Sequence, residues 1–344
     1  MKFEKNTIDA HLHIQSWFDK QGRGFIELYD EFQKNLGLKA LCLNALGDNI
    51  HGGVHDIIMA ALYKLHNPTA YANGGLVYPE YPLKKPMPSE MDPLTQYNEL
   101  MEIGFDGIKI LYKPDVTKAL SLPINDELYE PMFQKAEKDG TQFLWHLADP
   151  EIFWNKTDGC YGDGTYYSFK KHFELAFDVI KKHPNLSVTF AHFLFLSEHP
   201  EKLEEIFEQY PKVTIDVTPG TEMYDVFTEK GNFYKEFFEK YKTRILYGTD
   251  GGVTKISSSE KLAEAVYTAL TTDQNSVIWG HNVKGLALPD SVCKYLLYGN
   301  FVKLYGETPK PINKPALKQY IEKYSHLIIN EEEKIQILQA AETL

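Results

Sequence analysis

Strict alternation marks the stretch Ile8-Asp9-Ala10-His11-Leu12-His13-Ile14. Read as a strand, it turns His11 and His13 to one side and Leu12 to the other. Two imidazoles one residue apart on a strand can reach the same metal ion, whereas a helix needs a spacing of three or four. A half-buried strand that carries two histidines by chance is the competing account. The choice turns on whether further ligands end later strands.

The rest of the chain alternates between short apolar runs and segments of helical period. The apolar runs predict strands over 39–46, 72–78, 107–112, 141–145, 186–191, 212–217 and 244–250. Between them the pattern predicts helices over 25–36, 54–65, 93–103, 126–138, 169–182, 200–210 and 224–241. Further helical patterns follow the last strand, over 258–271, 289–298, 314–324 and 331–343. Gly37 and Gly140 stop their helices, and Pro131 delays the start of the helix predicted from 126. Pro79, Pro82, Pro86 and Pro88 close the third strand, which they cannot continue.

Eight strands alternating with helices predict a (β/α)8 barrel, here one domain over 1–344 with extra C-terminal helices. A doubly wound open sheet would want a glycine-rich phosphate turn after the first strand. The chain has His-Leu-His there.

Composition narrows the partners. A hydrophobic content of 43% with 24% charged residues suits a globular protein with a sizeable core. A net charge of -12 argues against nucleic acid, which needs a basic surface. No apolar run is long enough to span a membrane, and Met1-Lys2-Phe3-Glu4-Lys5 lacks the apolar core of a signal peptide. Cys42, Cys160 and Cys293 imply no disulfide framework. A cytoplasmic protein acting on a small molecule, without nucleic-acid or membrane partners, is the expectation.

In a barrel the active site gathers at the strand ends. There the chain places His11 and His13, then His146 after Phe143-Leu144-Trp145, His192 after Val188-Thr189-Phe190-Ala191, and Asp250 after Ile245-Leu246-Tyr247-Gly248-Thr249. Any one of these histidines is ordinarily a core residue satisfied by a carbonyl. Four strand ends converging on imidazole or carboxylate make coincidence a poor account, and the donor set suits Zn²⁺ with a position left open for water.

Other residues are weaker signals. Arg23 and Arg244 are the only arginines, and Arg23 lies between two glycines just after the His pair. Its planar fork suits a carboxylate, although a solvated surface arginine is the simpler account. His51 and His55 follow the second strand and read as solvated loop histidines. Asp216 either orients a ligand histidine or is satisfied by local backbone. The stretch Phe153-Trp154, Tyr161, Tyr166-Tyr167, with three glycines, is either a substrate lid or an ordinary crossover on the rim.

These motifs resemble the amidohydrolase superfamily, in particular its amidohydrolase-related ("amidohydrolase 2") branch of hydrolases and non-oxidative decarboxylases. The likeness rests on His-x-His, the strand-ending His146 and His192, and Gly248-Thr249-Asp250. Trp145-His146-Leu147-Ala148-Asp149-Pro150, the segment Tyr210 to Val217, and Tyr298-Gly299-Asn300 add to it. It runs from about His11 to Tyr305. It implies a TIM barrel of the metallo-dependent hydrolase type. It makes His11, His13 and His146 metal ligands, Asp250 a ligand or catalytic base, and His192 a ligand or proton-handling residue.

The resemblance also implies one divalent ion, zinc first and Mn²⁺ second. A two-metal site would need a carbamylated Lys109 on the fourth strand, with His192 as a ligand of the second ion. Arg23, Trp154 and Lys109 are the candidates for touching substrate. The expected activity is hydrolysis of an amide, ester or lactone bond of a small carboxylated molecule. Decarboxylation of a small carboxylic acid is the alternative, and a non-catalytic metal-binding barrel is a third. Barrels of this kind often form homodimers.

Overall fold

A computed structural model describes residues 3, 6–14, 16–47, 53–78, 91–120, 122–157, 159–220, 222–252 and 256–344. In chain order it gives β1 (Ile8–His13), α1 (Phe25–Leu36), β2 (Ala40–Asn44), α2 (Val54–His66), β3 (Tyr71–Gly75), α3 (Pro93–Ile103) and β4 (Gly107–Tyr112). There follow α4 (Pro114–Leu120), α5 (Glu130–Asp139), β5 (Gln142–Leu147), α6 (Phe169–Lys182), β6 (Ser187–Phe190), α7 (Pro200–Gln209) and β7 (Val213–Asp216). Next come α8 (Met223–Glu229), α9 (Gly231–Tyr241), β8 (Ile245–Leu246), β9 (Gly251–Gly252), α10 (Ile256–Thr271), β10 (Asn275–Ile278) and β11 (His281–Lys284). The chain ends in α11 (Asp290–Lys294), α12 (Asn300–Tyr305), α13 (Lys314–Tyr324) and α14 (Glu331–Glu342).

The chain divides into two compact units. The first comprises Met1–His13, Phe18–Leu43 and Thr189–Thr308, and the second Ile14–Trp17, Asn44–Val188 and Pro309–Leu344. In the first, strand neighbours run β8-β7-β6 and β2-β1-β9. The two end strands, β8 and β9, are consecutive pieces of one run of chain. β8 pairs in parallel with β7, with Ile215 opposite Ile245 and Asp216 opposite Leu246. β9 pairs in parallel with β1, with Leu12 opposite Gly251 and His13 opposite Gly252. Between them Ala10 N donates to Tyr247 O at 3.1 Å and Asp250 N to His11 O at 2.8 Å. The eighth strand thus meets both the seventh and the first, the step that makes this alternation a (β/α)8 barrel with added C-terminal helices. Of the predicted strand over 244–250 only Ile245–Leu246 is strand, and parallel pairing resumes at Gly251–Gly252, just past Asp250 with its φ of 57°.

Two motif residues hold that strand from outside. Arg244 donates from Nε to Val213 O at 2.7 Å and from Nη2 to Tyr210 O at 2.7 Å. Buried Asn300 donates to Lys242 O at 2.7 Å and Ile245 O at 2.6 Å.

In the second unit neighbours run β5-β4-β3, all parallel. β4 is buried along its whole length, as a strand covered on both faces must be. A buried ion pair ties α2 to the turn before β4. Lys64 Nζ lies 2.5 Å from Asp106 Oδ2 and 2.6 Å from Gly104 O, and Asp106 also accepts from Ala72 N at 2.9 Å and Lys310 N at 2.8 Å. Its carboxylate is therefore satisfied, which a buried charge requires.

The structure corrects several predicted bounds. Pro131 sits in the first turn of α5, so the helix starts at Glu130 rather than 126. The helix predicted over 224–241 breaks into α8 and α9 at Lys230. His146 lies inside β5, which runs two residues past the predicted end. α4 and the β10–β11 hairpin were not predicted. The hairpin turns on Trp279 (φ 50°) and Gly280 (φ 89°), a two-residue turn with Trp where Asn or Asp is the usual signal. Among the described residues no helix is long and apolar enough to cross a membrane.

Candidate metal centre

The alternation of β1 puts both imidazoles on one side, as the sequence implies. His11 Nε2 and His13 Nε2 lie 3.1 Å apart. Asp250 Oδ1 lies 2.9 Å from His13 Nε2 and 3.5 Å from His11 Nε2. These three donor atoms lie within 4.8 Å of one another, and among the described residues this is the group of three that could hold a metal ion. A tetrahedral zinc with bonds of about 2.0–2.1 Å keeps its ligand atoms about 3.3 Å apart, so the separations fit. Two nitrogens and one carboxylate oxygen also suit the borderline-soft divalent ions.

The Gly-Thr-Asp motif builds the carboxylate side. A Cβ on Gly248 would stand 2.8 Å from His11 Cβ and 2.9 Å from Thr218 Cγ2, so only glycine lets this strand pass so close. Thr249 is buried and donates to Asp9, from Oγ1 to Oδ2 at 2.7 Å and from N to Oδ1 at 3.2 Å. The left-handed backbone of Asp250 then aims its carboxylate at the two histidines. Burial alone would raise that carboxyl. The bond from His13 and the neighbouring His11 and His192 imidazoles bring it well below its ordinary value, so it is ionised.

Asp216, for which the sequence left two readings, orients the histidines. Its Oδ2 lies 2.7 Å from His11 Nδ1, which therefore carries the proton and leaves the Nε2 lone pair on the side of His13 and Asp250. Its Oδ1 accepts His192 N–H at 2.9 Å, Thr218 N–H at 3.1 Å and the Thr218 hydroxyl at 2.5 Å. Burial would raise Asp216, but the His11 imidazole, followed by His192 and Thr218, brings it below the usual value.

The same network assigns the tautomer of His192, whose ring centroid is 5.7 Å from that of His11. Its Nδ1 lies 3.0 Å from Thr218 Oγ1 and 3.2 Å from Pro219 O. The carbonyl can only accept, and the Thr218 hydroxyl gives its own proton to Asp216. Nδ1 is therefore the protonated nitrogen of the neutral ring, and Nε2 carries the lone pair.

Sequence reasoning missed Asp9. It is fully buried in β1, accepts His11 N–H at 3.1 Å and both Thr249 donors, and burial pushes its carboxyl up to about 7. Its place two residues before His11, on the same side of the strand, was the available signal.

The remaining candidates are placed as follows. His146 belongs to the second unit, with Nε2 3.2 Å from Asp149 Oδ1. Tyr161 donates to Asp149 Oδ2 at 2.6 Å. Burial would raise Asp149, but His146 and Tyr161 bring it below the usual carboxylate value. Arg23 pairs with Asp19 Oδ2 through Nε and with Glu31 Oε2 through Nη1, each at 2.9 Å, so a ligand carboxylate would compete with both. Trp154 donates to Tyr167 O at 2.8 Å, and its ring is 5.0 Å from that of Tyr161. Lys109 is buried in β4 opposite Gly75 and Leu144. His55 Nε2 lies 3.1 Å from Asp56 Oδ1, so it is paired rather than simply solvated. His51 falls outside the described residues.

No family model and no curated protein matches the sequence. Solved structures do. An uncharacterized TIM-barrel protein from Bordetella bronchiseptica shares 14% identity at a TM-score of 0.56, over 88% of this chain and 99% of that one. An amidohydrolase II shares 15% at 0.51, over 87% and 99%. A dihydroxybenzoic acid decarboxylase from a Polaromonas species, with bound manganese and the inhibitor 2-nitroresorcinol, shares 12% at 0.55, over 89% and 97%. At such identities the likeness is one of fold. The chain has the barrel of amidohydrolase-related proteins, as the sequence resemblance implied.

Proposed function

We propose that this chain, an amidohydrolase-type barrel in fold, is a metal-dependent hydrolase cleaving an amide, ester or lactone bond of a small carboxylated molecule. The observation that carries the reading is the convergence of His11 Nε2, His13 Nε2 and Asp250 Oδ1 within 4.8 Å. A divalent ion held there supplies Lewis acidity and acidifies water. Zinc is the ion proposed, one per chain. Manganese, the ion in the Polaromonas decarboxylase, is the second choice.

The chain's own groups divide the proton work. Asp250 is ionised and can take a proton from attacking water. His192 as the imidazolium can donate the Nε2 proton to the oxygen or nitrogen that leaves, which returns it to the Nδ1–H form held by Thr218 and Pro219. Arg23 and Trp154 are proposed on the substrate side. Arg23 would exchange Asp19 or Glu31 for a substrate carboxylate.

A second reading uses the same residues: non-oxidative decarboxylation of a small carboxylic acid, with Asp250 or His192 managing the proton that replaces CO₂. The likeness of fold to a decarboxylase supports it as much as the likeness to an amidohydrolase supports the first. A panel of carboxylated aromatics, amides, esters and lactones in ¹⁸O-water separates the two. Label in the product acid upholds the hydrolase, and CO₂ release without label transfers the assignment to the decarboxylase. Turnover undiminished in Asp250→Ala would overturn both by placing the activity elsewhere, and would leave this site a non-catalytic metal centre.

A further inference from the structure

Four consecutive residues after β6 have left-handed backbone: His192, Phe193, Leu194 and Phe195, with φ of 57°, 54°, 57° and 52°. None is glycine. L-residues crowd Cβ against the carbonyl oxygen there, so such residues ordinarily occur singly. A run of four persists only where its surroundings over-determine it. Phe193 supplies one constraint. It is fully buried, with its ring 5.1 Å from Phe227, 5.6 Å from Phe237 and 6.0 Å from Tyr234.

Phe195 supplies the other. In a turn of three residues per revolution, positions i and i+3 eclipse. Phe195 accordingly returns over His192, with ring centroids 5.1 Å apart and planes inclined by 24°. Gly220 lies against both, since a Cβ there would stand 3.6 Å from the Phe195 ring and 3.7 Å from His192 Cβ. The imidazole is therefore bounded on a face by Phe195 and at Nδ1 by Thr218 and Pro219.

We propose that this turn is a positioning device for His192, with Phe195 as the positioning residue. Its ring fixes the plane of the imidazole, so that Nδ1 stays on Thr218 and Pro219 and Nε2 alone is presented for proton transfer. The proposal rests on the proton-handling role given to His192 above, yet the device concerns the ring and is observable without turnover. A phenylalanine that merely filled space would leave the imidazole unchanged when another side chain filled the same space.

Long-range ¹H–¹⁵N NMR of the histidine side chains in the full chain tests it, on Phe195→Tyr, Phe195→Leu and Phe195→Gly. Glycine suits the φ of 52° and removes the whole benzyl side chain. Leucine keeps apolar bulk and decides the matter if the glycine variant does not fold. Wild type and Phe195→Tyr are expected to show His192 as a single Nδ1–H tautomer. Phe195→Leu and Phe195→Gly are expected to mix both tautomers and broaden the signal, with His11, held by Asp216, unmoved. A single unshifted Nδ1–H signal in both variants would overturn the proposal. Once a substrate is found, kcat should fall by about tenfold or more in Phe195→Leu, part of what general acid–base catalysis supplies. Tautomer mixing with kcat unchanged would uphold the positioning and fault the role of His192, so the two readings fail separately.

Discussion

Asp216 serves two histidines with two oxygens, and an amide cannot replace it, because it offers one acceptor where two are used. In Asp216→Asn either His11 loses the partner that fixes its tautomer or the His192 turn loses its anchor. Metal affinity is expected to fall about 10–100-fold, as when such supporting partners are removed elsewhere. Competition with a chromophoric chelator measures it, and unchanged affinity would deny Asp216 its orienting role. The same carboxylate makes stability depend on pH. Its folded pKa lies below its unfolded value, so its contribution is complete above the unfolded pKa of about 3.9 and is lost as pH falls through the folded one. Denaturation midpoints taken from pH 6 downward should drop in that acid range, and drop less in Asp216→Asn. Equal slopes for the two proteins would contradict this.

At the scale of the element, Gly248→Ala probes the eighth strand. The added methyl would meet His11 Cβ and the Thr218 methyl at under 3 Å, with β1 and β7 on either side. Overpacking of this kind costs about 1–3 kcal/mol and should displace His11 as well. Chemical denaturation together with chelator competition reads both effects, and an unchanged midpoint would show that the strand can move aside. Why the sequence revealed some elements and hid others follows from what the apolar pattern encodes. β1 was legible because its period is two, and α6 was legible to the residue because its apolar face and its Ser168 cap agree. The split of the eighth strand at Asp250, the break at Lys230 and the Trp279–Gly280 turn depend on backbone conformation at single residues, which hydrophobic periodicity does not record. The His-x-His pair was visible for the same reason β1 was, and Asp250 because it follows an apolar run. Asp9 and Thr218 were not, because a buried polar residue shows its purpose only beside its hydrogen-bond partners. Arg23 is the converse case: its pairing with Glu31 on α1 came from helix packing, not from its own glycine-flanked loop.

For the whole molecule, the number of metals is the open quantity, and Lys109 is its marker. A two-metal site of the related type would need this lysine carbamylated. We expect an unmodified Lys109, checked by intact-mass and peptide mass spectrometry under conditions that retain carbamate. A modified lysine would overturn the one-metal proposal. The central claim, that two strand-borne histidines and the aspartate at the end of the eighth strand form a metal centre, is tested most directly by metal content. Elemental analysis of the purified chain after loading with zinc or manganese should give about one equivalent bound tightly enough to survive desalting, as a site of this donor set would hold it. It should be lost in His13→Ala and in Asp250→Ala. Full retention of the ion in both variants, or no stoichiometric ion in the unaltered chain, would contradict the account.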